Sequence, residues 1–255
     1  MRKVTLGKHK LVIFESIEEL PISRYHKFNK FILVDTHIGS TMAEFDTHLE
    51  RITQFIKMGD PKSAETEILN LRQNVYLIQE EISPRLLSFA SLVYSIDGEE
   101  VKDESDESFR EVCRKLSDLS NKDIEELNKE IKKKLETELQ TYFPNLFDDS
   151  SVKDYYDKLR KRTLLVLKLL MEEPTEELKQ EIQNISSELI LYSKPQIFTG
   201  EKSVEVQRDK QFENTCLSLS QALGLDSKKF SVLEYYNALF YLQEQNKSRK
   251  TKNRK

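Results

Sequence analysis

Four histidines, His9, His26, His37 and His48, fall within the first 48 residues, and two of them close an Asp-Thr-His triplet: Asp35-Thr36-His37 and Asp46-Thr47-His48. Imidazole beside carboxylate is a donor set for zinc, iron or manganese, and a carboxylate that orients an imidazole serves acid/base catalysis. On a helix starting at Thr41, however, His48 lies beside Phe45 and Ile52 at the flank of an apolar stripe, while Asp46 points away, so this triplet does not converge on one point. Capping or boundary roles are therefore favoured over a metal-dependent enzyme built on these Asp and His residues. No catalytic residue, metal ligand or cofactor is assigned.

The other reactive types are as sparse. Cys113 and Cys216 stand about a hundred residues apart on apolar stripes, which excludes a thiolate zinc site, a C-x-x-C redox motif and a disulfide framework. The six glycines never come closer than about twenty residues, so no Gly-rich phosphate loop can be written. Carboxylates are plentiful but sit on the polar faces of predicted helices. Charged residues are 33% of the chain, above the roughly 25% of an average domain, which suits long solvated helical faces. No run approaches the ~18 apolar residues of a membrane span, and the start resembles no signal peptide, so a protein made in the cytoplasm, without a membrane partner, is expected.

The elements are legible from their punctuation. Lys10 to Phe14 reads as a short strand, and Ser16-x-x-Glu19 opens a turn that Pro21 closes. Ile22, Tyr25, Phe28, Ile32 and Leu33 recur at helical spacing. A capping box, Thr41-x-x-Glu44, starts a helix with the stripe Met42, Phe45, Leu49, Ile52, Phe55 and Ile56. Asp60-Pro61 starts the next, whose seam Ala64, Ile68, Leu71, Val75, Ile78 and Ile82 steps by 4, 3, 4, 3, 4. Ser83-Pro84 restarts the chain, and Asp97-Gly98 within Leu92 to Val101 predicts a β-hairpin near residues 92–102 inserted between helices.

Further helices follow over 109–116, 120–142 and 152–170, and a last one of this group carries Leu178, Ile182, Ile185 and Leu189. The fold class is mainly α: a multi-helix bundle with a short N-terminal strand and an inserted hairpin. The expected division is a helical body over 1–192, a linker over 193–208, a C-terminal helical hairpin over 209–246 and a basic disordered tail over 247–255.

Charge is unevenly placed. Seven of the eleven residues from Asp97 to Glu107 are acidic, and after Glu244 only basic charges follow, six in the last nine residues, so the net charge of -4 divides into about -10 for the body and +6 for the tail. Asp97, Glu99, Glu100, Asp103 and Glu104 on the hairpin edge, and Lys247, Arg249, Lys250, Lys252, Arg254 and Lys255 in the tail, are the candidate interface residues. The tail reads as a solvated end, as a non-specific contact with DNA phosphates, or as a contact with an acidic partner, including a neighbouring copy's hairpin.

Three stretches, SIEELPISRYHKFNKFILVDTHIGS (Ser16 to Ser40), LVYSIDGEEVKDESDESF (Leu92 to Phe109) and CLSLSQALGLDSKKFSVLEYYNALFYLQEQNK (Cys216 to Lys247), resemble segments of structural-module proteins from tailed bacteriophages of gut Bacteroidetes, particularly crAss-like phages. The resemblance covers about a third of the chain and carries no catalytic motif. It implies a non-enzymatic virion component assembled in the host cytoplasm: a ring or connector subunit at the portal–tail junction. Its partners would be other copies of itself, the portal and neighbouring ring or tail proteins. A transient tail-assembly chaperone is the alternative. A ring requires heterologous interfaces, for which the acidic hairpin and the basic tail are the candidate opposite sides.

Overall fold

The computed structural model describes residues 1–117, 119, 121–147, 150–171, 175–192 and 194–252, with the side chains of all of these but 121, 145, 147, 150–156, 170, 187, 190–192 and 246–252. The chain is mainly α. Among the described residues four strands, β1 (Arg2–Leu6), β2 (His9–Ile13), β3 (Val93–Ile96) and β4 (Glu99–Glu100), form one antiparallel sheet in the order β1-β2-β3-β4. The helices are α1 (Ile22–His37), α2 (Met42–Lys57), α3 (Pro61–Gln79), α4 (Pro84–Leu92), α5 (Asp106–Lys115), α6 (Asn121–Tyr142), α7 (Ser150–Met171), α8 (Glu176–Tyr192), α9 (Val204–Leu223) and α10 (Val232–Lys252). They make two compact units, one of residues 1–142 with 197–255 and the other of residues 143–196.

In the first unit the expected strand and hairpin join one sheet. β2 pairs with β3 on one side and on the other with β1, a strand the periodicity of the first residues does not announce. Leu6 pairs with His9 across the two-residue loop Gly7-Lys8, where Gly7 has φ +54°, the conformation that a glycine at the first position of such a loop supplies. Asp97 and Gly98 both have positive φ in the β3–β4 turn, as an Asp-Gly hairpin requires.

Helix starts follow the sequence punctuation. Thr41 and Glu44 form a complete capping box on α2, while Asp60 and Ser83 accept from the backbones of Ser63 and Leu86 at the starts of α3 and α4, each followed by proline. α4 is buried along most of its length, against α1, α5 and α6. Phe89, Leu92, Val93, Phe109, Leu116, Ile131 and Leu135 are almost fully removed from solvent.

Arg24 ties this core to the sheet. Buried at 3% exposure, its guanidinium donates to the carbonyls of Val93 (2.7 Å), Ser91 (3.4 Å) and Val101 and to Glu104 (3.2 Å), and it lies over the rings of Phe14 and Phe109. A buried cation is tolerable only with its donors satisfied in this way.

On α3 the structure corrects the expected seam. The helix is turned so that Ser63, Ala64, Glu67, Asn70, Asn74 and Leu77 are buried, while Ile68 is exposed and Leu71, Val75 and Ile78 are half-buried. Ser63, Glu67 and the amide nitrogens of Asn70 and Asn74 find partners inside, while the side-chain oxygen of Asn74 is buried without one among the described residues.

α9 begins at Val204, earlier than the expected 209, because Ser203 caps it through the Val206 N–H. Gly224 closes α9 in the left-handed conformation, and α10 follows after the short turn Ser227–Lys229. Both helices pack on α1, and the C-terminal hairpin belongs to the first unit. α10 continues through Lys252, so Lys247, Arg249, Lys250 and Lys252 occupy helical positions, whereas Arg254 and Lys255 lie outside the described residues.

The second unit holds the helical hairpin α7–α8. Lys158–Glu188 (2.6 Å), Lys161–Glu181 (2.9 Å) and the bond from Arg162 Nε to Ser186 Oγ (2.8 Å) set its antiparallel register. Ile185 and Leu189 of α8 are buried.

Candidate functional site

Each histidine is placed by a partner remote in sequence. His48 is buried, with Nδ1 2.8 Å from Glu67 Oε1 and Nε2 2.9 Å from the Ile38 carbonyl, which also receives Asn74 Nδ2 at 3.1 Å. Both ring nitrogens thus lie against oxygen atoms, one a carboxylate and the other a backbone carbonyl. Burial alone would raise the Glu67 carboxyl; the hydrogen bond and charge of His48, together with Arg51 and Asn70, outweigh it and hold it below the usual value. This arrangement joins α2 and α3 to the end of α1, where Ile38 is the capping residue with an otherwise orphaned carbonyl. It leaves His48 no nitrogen with which to take a proton from a substrate.

The other three are held differently. His9 Nδ1 meets Asp97 at 2.8 Å, and His26 stacks on Phe212 (centroids 4.1 Å apart) with Nε2 2.7 Å from Asp209, which also holds Lys30. His37 lies on the ring of Phe198 at 5.5 Å; burial, with Arg51 and Arg208, lowers its pKa against Glu67. Asp35 goes to Arg85 instead (3.1 Å), and Asp46 is exposed. The Asp-Thr-His triplets are thus not brought together, and among the described residues no three His, Cys, Asp or Glu side chains are grouped to hold a metal.

The acidic hairpin edge is engaged within the chain. Asp97 accepts from the Lys10 N–H and from His9, bonds that lower its pKa. Glu99 pairs with Lys115 at 2.9 Å, and Glu100 with the Tyr94 hydroxyl and with Lys102. Asp103 accepts from the backbone and hydroxyl of Ser105, the cap of α5, and Glu104 faces the buried Arg24. The side chains of Asp97, Glu99 and Glu100 are about half exposed or more, so these carboxylates still reach solvent. The basic positions from Lys247 onward carry no described side chain.

Two features escape the reading of charge and motif. One is a cleft of about 500 Å³ between α1, α9 and α10, walled by Tyr25, His26, Phe212, Tyr235 and Tyr236 with Arg208 at its edge. Burial pushes the Tyr25 and Tyr235 hydroxyls up to about 12, so both are neutral at physiological pH. Its aromatic residues come from three helices, and the signal that would reveal it is tertiary.

The second feature is a pair of apolar lines left on the surface: Met42, Leu49 and Ile56 on α2, and Leu164, Leu167 and Met171 on α7. Seven-residue steps on α2 and steps of three and four on α7 put each set on one side of its helix. Such contiguous exposed apolar side chains are characteristic of contact surfaces. Among the described residues no helix is long and apolar enough to cross a membrane.

The chain matches no protein family, no characterised protein and no solved structure.

Proposed function

We propose that the chain is a structural component of a tailed-phage particle, a ring or connector subunit at the portal–tail junction, working through protein–protein contacts with copies of itself and with portal or tail proteins. The observation that supports contact work is the pair of exposed apolar lines on α2 and α7. The place in a virion rests on the resemblance of the stretches at Ser16 to Ser40, Leu92 to Phe109 and Cys216 to Lys247 to phage structural proteins. Apolar side chains supply the binding free energy of such contacts. The half-exposed hairpin carboxylates and the basic C-terminal run act on encounter rate and register.

Quantitative mass spectrometry of density-banded particles tests this reading. An integer ratio to the portal protein is the expected result. Absence from particles overturns it, and a stable soluble complex with a tail protein would then identify the chain as an assembly chaperone.

A further inference from the structure

Among the described residues the sheet ends in two unpaired edges, β1 and β4, each a row of backbone groups open to another strand. Which groups point outward follows from the turns. Leu6 and His9 close one two-residue loop, Ile96 and Glu99 the other, so both are hydrogen-bonded pairs, and bonded and non-bonded pairs alternate from there. Lys3 falls on a non-bonded position of β1 and Glu100 on one of β4; the bond from the Val101 N–H to the Tyr94 carbonyl keeps the same phase. The N–H and C=O groups of Lys3 and of Glu100 therefore face out of the sheet. The two residues also share a row: Lys3 pairs with Val12, Val12 with Ser95 and Ser95 with Glu100. Directly paired residues lie on one face, here the face opposite to that of buried Leu11, Ile13 and Ile96. Both ends of the row are exposed, and among the described residues the Lys3 ammonium has no ion-pair or hydrogen-bond partner.

We infer that β4 of one copy pairs antiparallel with β1 of the next, Glu100 opposite Lys3, so that the sheet continues from subunit to subunit. The row supplies the register. The bond from the Asp97 N–H to the Lys10 carbonyl makes Val12–Ser95 a bonded pair, so the row runs non-bonded, bonded, non-bonded from Lys3 to Glu100. A bonded Glu100–Lys3 pair is its next step, and because every neighbour in the sheet is antiparallel, the added step is antiparallel too. One position along, Val4 comes opposite Glu99, whose carboxylate is already drawn to Lys115 at 2.9 Å. Charge selects this pair of edges over the alternatives. Two β1 edges would bring the basic run Arg2-Lys3 against itself, and two β4 edges would do the same with Glu99 and Glu100. Opposite charges across a strand pair are favourable and like charges unfavourable. Glu100 accepts from the Tyr94 hydroxyl and lies 3.7 Å from Lys102, yet its side chain is 45% exposed and its carboxylate has room for a further donor. A contact between two different edges is heterologous, so it repeats until it closes as a ring or runs on as a filament. The inference rests on the reading of the chain as a subunit that contacts copies of itself, and it names the contact.

Sedimentation of the full chain across about 1 µM to about 1 mM tests the pairing, because edges this short associate weakly. The mass should rise with concentration from 30.0 kDa without levelling off at two copies. Over the same range the amides of Lys3 and Glu100 should gain protection from deuterium. Lys3→Glu and Glu100→Lys should each weaken association by roughly tenfold with unchanged circular dichroism, both side chains being exposed already. An equimolar mixture of the two variants should recover it, because alternating copies again set opposite charges at every contact. The chain carrying both Lys3→Glu and Glu100→Lys should associate as the wild type does, which keeps a readout if either single variant fails to fold. A wild-type monomer at every concentration, a mass that levels off at two copies, or association indifferent to both charge changes each overturns the inference. A monomer in solution that is present in particles at an integer ratio to the portal protein would overturn the edge pairing alone and leave the proposed function standing.

Discussion

Glu67 links the buried face of α3 to pH. Its carboxylate is buried against His48, with Arg51 at 3.5 Å and Asn70 at 3.4 Å, and its folded pKa lies below the ordinary 4.5. A depressed carboxyl contributes stability that is complete above the unfolded value and is lost as the pH falls through the folded one. Resistance to denaturant should therefore fall on the acid side of about pH 4.5. Glu67→Gln should cost about 1–3 kcal/mol near neutrality, since it weakens the buried hydrogen bonds at this carboxylate, and should flatten that acid limb. An unchanged acid limb in the variant would remove Glu67 from the account. Tyr25 and Tyr235 act at the other end of the scale: burial raises both to about 12, so their share of stability holds up to the unfolded value of about 10 and declines as they ionise above it. Spectrophotometric titration should show two phenols ionising near pH 12 in the folded protein and near 10 after denaturation.

The α1–α2 junction concentrates element-scale information into a few residues. Gly39 has φ +66°, and a Cβ there would fall 2.4 Å from the Glu44 side chain, whose carboxylate accepts from the Ser40 and Thr41 N–H groups. Gly39→Ala thus combines a strained backbone with a displaced cap, and it should cost more than Thr41→Ala, which removes the Thr41 cap for about 1 kcal/mol. Thermal unfolding of the two variants gives the comparison; equal shifts would mean that the junction relaxes freely. Punctuation of this kind is local, which is why Thr41-x-x-Glu44, Asp60-Pro61, Ser83-Pro84 and Asp97-Gly98 are legible in the sequence. The α3 seam is not, because Glu67, Asn70 and Asn74 read as surface residues until His48 and the Ile38 carbonyl, from other elements, are beside them. The candidate site divides the same way. The acidity of the 97–107 stretch is visible as composition, but the partners that occupy Glu99, Asp103 and Glu104 depend on folding, as does the meeting of Tyr25 with Tyr235 and Tyr236.

At the scale of the molecule, the two units differ in what holds them. The first contains a sheet, the buried helix α4 and a core running from Leu11 to Tyr235, whereas the buried hydrophobic side chains described in the helical hairpin of the second are Ile185 and Leu189. Two antiparallel helices joined by a few ion pairs bury too little apolar surface to be strongly stable, since exposed pairs contribute about 0–1 kcal/mol each. Local opening is governed by buried contacts, so the amides of α7 and α8 should exchange with deuterium well before those of α4 and α6. Hydrogen exchange followed by mass spectrometry should therefore show faster uptake in peptides from residues 157–192 than in those from 84–92. Equal uptake in the two segments would mean that the hairpin and the core open together, which would contradict the ranking drawn from their cores.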